Sequence, residues 1–187
     1  MVNNILNPME KNILPYKAVL VDTNFLLSWW PVPGPSNNNN KQPDAGDVLF
    51  ELIQRKIPIE VDAHVVSEYL NRYLRAYYQE YMDRFNPTKD WSGDHYKHYF
   101  RNSNEYPDIA RRAISNLKSE SSLNIEFVAI STSGLNASIE LMQTHPLEFT
   151  DAVLVENAIE HSAAILTNDK DIKNVSIEES LTIYSTN

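Results

Sequence analysis

Two short apolar runs that each end at an acidic residue constrain the fold of this chain more than any other feature. Lys17–Val21 is rich in branched residues and stops at Asp22, while Ala163–Thr167 stops at Asn168 and Asp169. Runs of this length and composition are typical of strands buried on both faces of a parallel sheet. A helix-compatible run follows Asp22, so the first pattern predicts a strand that leads directly into a helix.

The remaining sequence alternates between strand-like and helix-like patterns. Helices are predicted at about Asp47–Arg55, His64–Phe85, Pro107–Ser119, Ala137–Gln143 and Thr150–His161, and further strands at Ile57–Val61, Ile125–Ile130 and Leu181–Tyr184. In the longest helix the predicted apolar stripe is Val66, Leu70, Tyr73, Leu74, Tyr77 and Tyr81. Asp62 is placed to cap that helix. The alternation indicates an α/β fold with a central, mainly parallel sheet of about five strands and helices on both faces.

Length and composition favour a single domain over residues 1–187, because 187 residues with 42% hydrophobic content can bury one substantial core. Two segments lack a clear period: an Asn- and Pro-rich stretch at about 31–46, predicted to be a flexible loop, and an insertion at about 86–106, predicted to be a loop with at most a short helical turn.

Since no run is long and apolar enough to cross a membrane and the N-terminus lacks a signal-peptide pattern, we expect a cytoplasmic protein without a membrane partner.

Charge and cysteine content restrict the chemistry. The chain has no cysteine, so a metal ion would be held by oxygen or imidazole ligands. Its formal charge of −9 argues against a broad basic surface of the kind that grips nucleic acid without sequence preference. Acidic residues gathered at one metal site would account for much of that excess, so a nuclease is not excluded.

Four acidic residues fall where the carboxyl ends of the strands are expected to meet, which is where open α/β sheets bind ligands. Asp22 and Asp169 directly follow strands, Asp151 begins the helix that leads into a strand, and Glu68 lies early in the helix after Ile57–Val61. Carboxylates suit Mg²⁺ or Mn²⁺, ions that are commonly shared with substrate phosphates. Such ions activate water and stabilise charge on a reacting phosphate.

Each acid also has a structural explanation. Asp22 is a good helix cap, and Asp151 near a helix N-terminus is favoured by the helix dipole whatever its role. Glu68 falls nearly opposite the predicted stripe, as a solvated glutamate would. Asp169 and Asp171 lie in a polar exit turn and would point in opposite directions if that turn were extended. We favour Asp169 as the ligand and keep Asp171 as a possible one.

Order and context make these signals more specific. The segments VLVDTNFLL, VVSEYLNR, FTDAVLVENAIEH and AILTNDKDI, in this order, resemble the PIN-domain family. The resemblance covers both ends of the chain and leaves the middle unmatched. It implies a three-layer α/β/α fold and an acidic pocket that binds Mg²⁺ or Mn²⁺ for hydrolysis of single-stranded RNA. The metal-binding and catalytic positions that it implies are Asp22, Glu68, Asp151 and Asp169, with Asn24 and Thr167 in supporting positions.

The sequence therefore predicts a metal-dependent endoribonuclease. Many members of the family are toxins of bacterial toxin–antitoxin pairs and often dimerise, so the resemblance adds an antitoxin and a second copy of the chain as possible partners besides RNA. The main alternative is a PIN-fold nucleic-acid-binding or assembly module with little or no nuclease activity. A phosphatase-like α/β enzyme using the same acids is a third interpretation.

The unmatched middle contains one segment of interest for RNA binding. Trp91–Arg101 interleaves aromatic and basic residues, a composition that can stack bases and contact phosphates. A partly packed insertion with solvated charges explains it equally simply, and we favour that interpretation at this stage. Arg72, Arg75, Arg111 and Arg112 are candidates for the approach to the acids, although basic residues on helices are usually solvated.

Overall fold

A computed structural model describes residues 3–8, 17–32, 45–85, 95–118, 124–177 and 181–186, and the fold is built from these. Its strands are β1 Asn4–Leu6, β2 Val19–Val21, β3 Ile59–Asp62, β4 Ile125–Val128, β5 Ala164–Leu166 and β6 Thr182–Tyr184. They form one sheet in the order β1-β6-β5-β2-β3-β4, and every neighbouring pair is parallel. All carboxyl ends therefore lie along the same edge of the sheet.

The helices cover both faces of this sheet. They are α1 Thr23–Trp29, α2 Ala45–Gln54, α3 Ala63–Phe85, α4 Tyr106–Lys118, α5 Thr132–Thr144, α6 Phe149–His161 and α7 Lys170–Asn174, with a single-turn π-helix at Tyr96–Phe100. Helix α1 packs against α2 and α3, and α3 packs against α4, whereas α5 packs against α6. Right-handed crossovers place these two groups on opposite faces. The predicted three-layer α/β/α fold with a parallel sheet is confirmed.

Burial explains why the central strands have so few polar residues. Strands β2 and β5 lie in the middle of the sheet and are buried at every position, as strands covered on both faces must be. Strand β4 forms an edge, and its Phe127 is 58% exposed. The register pairs Val21 with Leu166, and the Asp22 N–H donates to the Leu166 carbonyl at 3.1 Å. The two sequence patterns that end in acids are therefore neighbours in space.

The sheet has six strands rather than the predicted five. Strand β1 was missed because a three-residue strand between asparagines has no apolar period to detect, and the five-residue helix α7 was missed for the same reason. The other strands are one or two residues shorter than the predicted ranges, and β3 is also displaced, as is usual for element boundaries. None of the helices in the described ranges is long and apolar enough to cross a membrane.

The predicted apolar stripe of α3 is right at Tyr73 and Leu74 and one residue off at its other positions. The buried positions are Val65, Tyr69, Tyr73, Leu74, Tyr78 and Met82, whereas Val66, Leu70, Tyr77 and Tyr81 are only partly buried. Apolar residues occupy two adjacent rows of this helix, so its own periodicity does not decide which row turns inward. Packing partners decide it: Tyr69 contacts Trp30 at a ring-centroid distance of 6.2 Å, and Tyr78 contacts Tyr96 of the π-helix at 5.1 Å.

The two segments without a clear period lie partly outside the described residues. Residues 33–44 of the predicted loop and residues 86–94 of the predicted insertion are not described. Helix α2 begins at Ala45, two residues before its predicted start. The later part of the predicted insertion contains the π-helix and leads into α4 at Tyr106.

Asp62 begins α3 and connects it to α6. One carboxylate oxygen, Oδ1, accepts from the backbone N–H groups of His64 and Val65 at 2.8 and 2.9 Å, which confirms the predicted cap. The other, Oδ2, accepts from the side-chain amide of Asn157 at 3.2 Å. Because Asp62 is only 2% exposed, this contact is a buried link between the helices that carry Glu68 and Asp151.

We expect Asp62→Ala to lower the free energy of unfolding by roughly 2–4 kcal/mol, since it removes a helix cap and leaves the buried Asn157 amide without its acceptor. Urea denaturation of both proteins measures this difference. Ser131→Ala is the matched control, because Ser131 caps α5 through the Gly134 N–H at 3.0 Å without a buried partner of this kind. Its expected loss is about 1 kcal/mol. Equal losses for the two variants would contradict the linking role of Asp62.

Candidate functional site

A cavity of about 580 Å³ opens at the carboxyl edge of the sheet. All four predicted acids and Asp171 line it, together with Asn24. The complete lining is Asp22, Asn24, His64, Ser67, Glu68, Asn71, Arg72, Arg75, Glu148, Thr150, Asp151, Asp169 and Asp171. The structure thus brings together the side chains that the sequence placed near this edge, from the ends of β2 and β5 and from α3 and α6.

Asp22 is held in place by hydrogen bonds from Thr167, which follows β5, and from Asn24 in α1. Its Oδ2 accepts from the Thr167 hydroxyl at 2.8 Å and from the Asn24 side-chain amide at 3.3 Å. Its Oδ1 also caps α1 through the Asn24 N–H at 3.4 Å. The cap and the cavity lining are therefore compatible roles. Thr167 supports Asp22 through this hydrogen bond and is not itself part of the cavity wall, since it is completely buried.

Asp169 and Asp171 lie at the start of α7 rather than in an extended turn. Asp169 caps that helix, because its Oδ1 accepts from the Asp171 N–H at 2.7 Å and the Ile172 N–H at 3.3 Å. The Asp169 N–H in turn donates to the Thr167 hydroxyl oxygen at 2.9 Å. The segment is not an extended turn: Asp169 is the N-cap and Asp171 lies in the first turn of α7, and both line the cavity.

Glu68 is engaged by two side chains of its own surroundings. Its Oε1 lies 2.6 Å from Nη2 of Arg72, one helical turn further along α3. Its Oε2 accepts from the Thr23 hydroxyl at 2.9 Å. Arg72 also donates to the Asn24 side-chain oxygen at 3.4 Å, so it bridges α3 and α1 across the cavity wall. Glu68 therefore differs from the three aspartates in having a positively charged partner.

Asp151 carries the largest electrostatic strain of the site. It lies in the first turn of α6, and burial together with the negative charges of Asp169 and Asp22 raises the pKa of its carboxyl to about 7. Burial also raises the pKa of Asp22, although hydrogen bonds from Thr167 and Asn24 oppose the rise. Carboxylates kept close together without a neighbouring cation are a common property of sites that bind metal or transfer protons.

The donor set fits Mg²⁺ or Mn²⁺, since the cavity offers carboxylate and amide oxygens and the chain has no thiolate. Among the described residues, no three acidic or histidine side chains are close enough to form a ready-made metal cluster. Mg²⁺ does not require one, because it retains several waters and is commonly bound through one or two carboxylates. The raised pKa of Asp151 gives the independent reason for a cation here, as a divalent ion would relieve that repulsion.

Sequence reasoning missed several polar residues of the cavity. Thr23 was given no role from the sequence, yet it donates to Glu68. Ser67 and Asn71 also line the cavity and were detectable, because Asn71 lies three residues after Glu68 on α3 and Ser67 lies one helical turn before Asn71. Glu148 is the N-cap of α6 and Thr150 lies in its first turn. They line the cavity because this helix begins at the cavity, which the sequence alone does not show.

A second cavity of about 330 Å³ lies between α3 and α4, away from these acids. Its walls include Arg84, which lies 3.3 Å from Glu80 and 4.0 Å from Glu105. Charges here are largely neutralised by one another, and the aromatic rings of Tyr77 and Tyr81 form part of the lining. We therefore place the candidate chemistry at the acidic cavity.

The fold and the cavity define a class: parallel α/β proteins with an acidic site at the carboxyl edge of the sheet. A family model described as "PIN domain" matches residues 19–178 of the 187. The chain belongs to the PIN domain family, as its motifs predicted. A comparison with curated proteins gives no significant match.

Three solved structures show what the chain is similar to in fold. PAE2754 from Pyrobaculum aerophilum is 14% identical, with a TM-score of 0.43 over 83% of this chain and 76% of the other. VapC20 from Mycobacterium tuberculosis, described as a sarcin–ricin loop cleaving toxin, is 14% identical, with a TM-score of 0.44 over 83% and 92%. A toxin–antitoxin complex from Klebsiella pneumoniae is 15% identical, with a TM-score of 0.44 over 88% and 100%. A likeness at this level says nothing about what this chain binds or cuts.

The raised pKa of Asp151 predicts that the metal-free protein loses stability as pH rises. The carboxyl has a pKa of about 7 when folded, above the ordinary value of about 3.9 in the unfolded chain. The folded state therefore binds this proton more tightly, and the stabilisation is complete below about pH 4 and lost as pH rises through about 7. In EDTA, we expect the melting temperature to fall between about pH 5 and pH 8 and to rise again when Mg²⁺ is added at pH 8.

Asp151→Asn separates this effect from the general pH dependence of the fold. The amide does not titrate, so the variant should show a smaller loss of melting temperature over the same range. Part of the loss should remain, because burial also raises the pKa of Asp22. Identical pH profiles for the two proteins would show that Asp151 is not strained in this way.

Proposed function

We propose that this protein is a Mg²⁺- or Mn²⁺-dependent endoribonuclease that hydrolyses phosphodiester bonds in single-stranded RNA. The observation that carries the proposal is the gathering of Asp22, Asp151 and Asp169 on one cavity, where the pKa of Asp151 is raised to about 7 by burial and by the other two carboxylates. Membership of the PIN domain family supports it, because proteins of this family are generally nucleases.

Asp22, Asp151 and Asp169 would hold the metal in this proposal, with Asp171 as a possible further ligand. Bound there, a divalent ion would activate water and stabilise the charge that develops on the phosphate and the leaving oxygen. Thr167 holds the Asp22 carboxylate in position by donating to it at 2.8 Å. Since a preorganised carboxylate need not reorient during the reaction, this hydrogen bond contributes to rate as well as to structure.

Glu68 and Arg72 have a shared role in the proposal. In the conformation described, their ion pair of 2.6 Å keeps Glu68 from acting as a free ligand. Arg72 is 44% exposed at its side chain and lines the cavity, so a substrate phosphate can replace Glu68 as its partner. Exchange of partners would release Glu68 toward the metal when RNA binds.

Hydrolysis by activated water leaves a 3′-hydroxyl on one fragment and a 5′-phosphate on the other, because the 3′ oxygen is the leaving group. The reaction needs no covalent intermediate with the protein. The end groups therefore distinguish this proposal from cleavage by the 2′-hydroxyl of the RNA itself, which leaves a cyclic phosphate.

The rival is a PIN-fold binding or assembly module with little or no nuclease activity. One observation favours it, namely that Glu68 is paired with Arg72 and Thr23. Metal binding without turnover on any RNA would support this rival. A toxin role and an antitoxin partner stay predictions from the family resemblance, and a small DNA-binding protein encoded beside this chain would support them.

Cleavage assays on labelled single-stranded RNA with Mn²⁺ or Mg²⁺ test the proposal directly. We expect Asp22→Asn and Asp151→Asn each to lower the rate about 100-fold or more, the scale of losing one preorganised electrostatic contact. Asp108→Asn is the control, because Asp108 lies on α4 beside the second cavity. Equal activity in the wild type and both site variants would contradict the proposal, and so would fragments that end in a cyclic phosphate.

Arg72→Gln should bind Mn²⁺ several-fold more tightly than the wild type, because the substitution removes the cation that occupies Glu68. Isothermal titration calorimetry measures this affinity without RNA or turnover. Arg75→Gln is the matched control, since it removes the same charge from the same cavity but has no carboxylate partner among the described residues. Equal gains for the two variants would mean that only net charge matters and that Arg72 does not compete for Glu68.

A further inference from the structure

The π-helix at Tyr96–Phe100 has one face packed firmly on α3. Phe100 is completely buried and lies 5.5 Å from both Tyr78 and Tyr81, measured between ring centroids. Asn102 closes the turn by donating its side-chain amide to the His98 carbonyl at 2.9 Å. These contacts make the turn a fixed part of the protein surface and give its outward face a defined shape.

The outward face combines an aromatic stack with positive charge. The rings of His95 and Tyr99 are stacked at a centroid distance of 4.5 Å and an angle of 23°. Tyr99 is nevertheless 59% exposed, so the other side of its ring is open to solvent. Lys97 in the π-helix and Arg101 at its end are also exposed. We call Arg75, Tyr96, Lys97, Tyr99 and Arg101 the basic–aromatic surface.

This surface is continuous with the acidic cavity. Arg75 lines the cavity and also lies over the Tyr96 ring, with its guanidinium carbon 5.4 Å from the ring centroid. Burial and the neighbouring Tyr106 raise the pKa of Tyr96, whereas the charges of Arg75 and Arg101 act to lower it. The contact of Arg75 with Tyr96 therefore extends positive charge from the cavity to the π-helix, where Arg101 follows.

Among the described residues, what sets this surface apart is the combination of cations that have no carboxylate partner with an exposed aromatic ring, since cations of this kind also occur elsewhere. Arg55, Arg84 and Arg111 each lie within 3.3 Å of a carboxylate on their own helix. Arg75, Lys97 and Arg101 have no such partner in the part of the chain that the structure describes. In a chain of net charge −9, unneutralised cations around an exposed aromatic ring favour a ligand that carries both phosphates and bases.

We propose that the basic–aromatic surface binds the segment of single-stranded RNA that leads into the acidic cavity. Tyr99 stacks on a base, while Arg75, Lys97 and Arg101 contact phosphates on either side of it. Unpaired RNA fits because its bases are free to stack on a protein ring, whereas those of a duplex are stacked on each other. This inference rests on the proposed function, because it assigns the substrate-binding site of the same nuclease.

Fluorescence anisotropy of a labelled single-stranded RNA, titrated with the full chain in EDTA, tests the inference without cleavage. We expect Tyr99→Ala to weaken binding roughly 5- to 150-fold, the loss of one base–aromatic stack. Phe50→Ala is the matched control, since Phe50 on α2 is 58% exposed against 59% for Tyr99. Circular dichroism checks that each variant keeps the fold. Unchanged RNA affinity in Tyr99→Ala, an equal loss in Phe50→Ala, or no binding by the wild type would each overturn the inference.

The salt dependence of binding tests the phosphate contacts separately. Arg101→Gln should reduce the slope of log affinity against log salt by about 0.7, the value for one phosphate contact on a single strand. Arg111→Gln should leave the slope unchanged, because Arg111 is paired with Asp108 on α4. Equal slopes for the wild type and Arg101→Gln would refute the assigned contact.

The two proposals fail in different ways. RNA binding that depends on Tyr99, in a protein that cuts no RNA with any divalent metal, supports the surface and refutes the nuclease. Metal-dependent cleavage together with RNA binding that does not depend on Tyr99 supports the nuclease and refutes the surface.

Discussion

The pairing of β2 with β5 is the constraint on which the rest of the site depends. It places the buried Thr167 hydroxyl between two acids that are far apart in sequence, where it donates to Asp22 at 2.8 Å and accepts from the Asp169 N–H at 2.9 Å. A shift of one residue in this register would turn every side chain of the strand to the other face of the sheet. The hydrophobic burial of both strands therefore fixes the positions of the acids as firmly as it fixes the core.

Fixed acids create an electrostatic cost, which is unevenly distributed. Burial and the negative charges of Asp169 and Asp22 raise the pKa of Asp151. In the described structure, cations lie on the cavity wall and none lies between these three carboxylates. Glu68, by contrast, is neutralised by Arg72 at 2.6 Å. The four acids that look equivalent in a motif are thus two kinds of group. Three repel one another and gain most from a divalent ion, whereas the fourth must exchange one partner for another.

The sequence predicted those features that depend on local pattern. Asp22 and Asp169 follow apolar runs, and Asp62 precedes a segment with helical periodicity. The positions of the strand ends and of the helix cap could therefore be predicted. It failed where a neighbour distant in sequence decides the outcome. Strand β1 acquires its identity only by pairing with β6, and the inward row of α3 depends on packing against residues distant in sequence, such as Trp30 on Tyr69 and Tyr96 on Tyr78. The partner of Glu68 was hidden for a related reason, because helical spacing permits the pair with Arg72 without requiring it.

Net charge is a poor guide to partners here, because its distribution matters more than its sum. At physiological salt the Debye length is about 8 Å, so exposed charges act mainly on what lies beside them. An RNA strand at the acidic cavity would meet repulsion unless a metal ion and nearby cations offset it. Arg72 and Arg75 lie on the cavity wall, and Arg75 continues the positive charge to the π-helix. A negative net charge of −9 is therefore compatible with the proposed binding of metal and phosphate at neighbouring positions, since Arg72 and Arg75 lie on the wall of the acidic cavity itself.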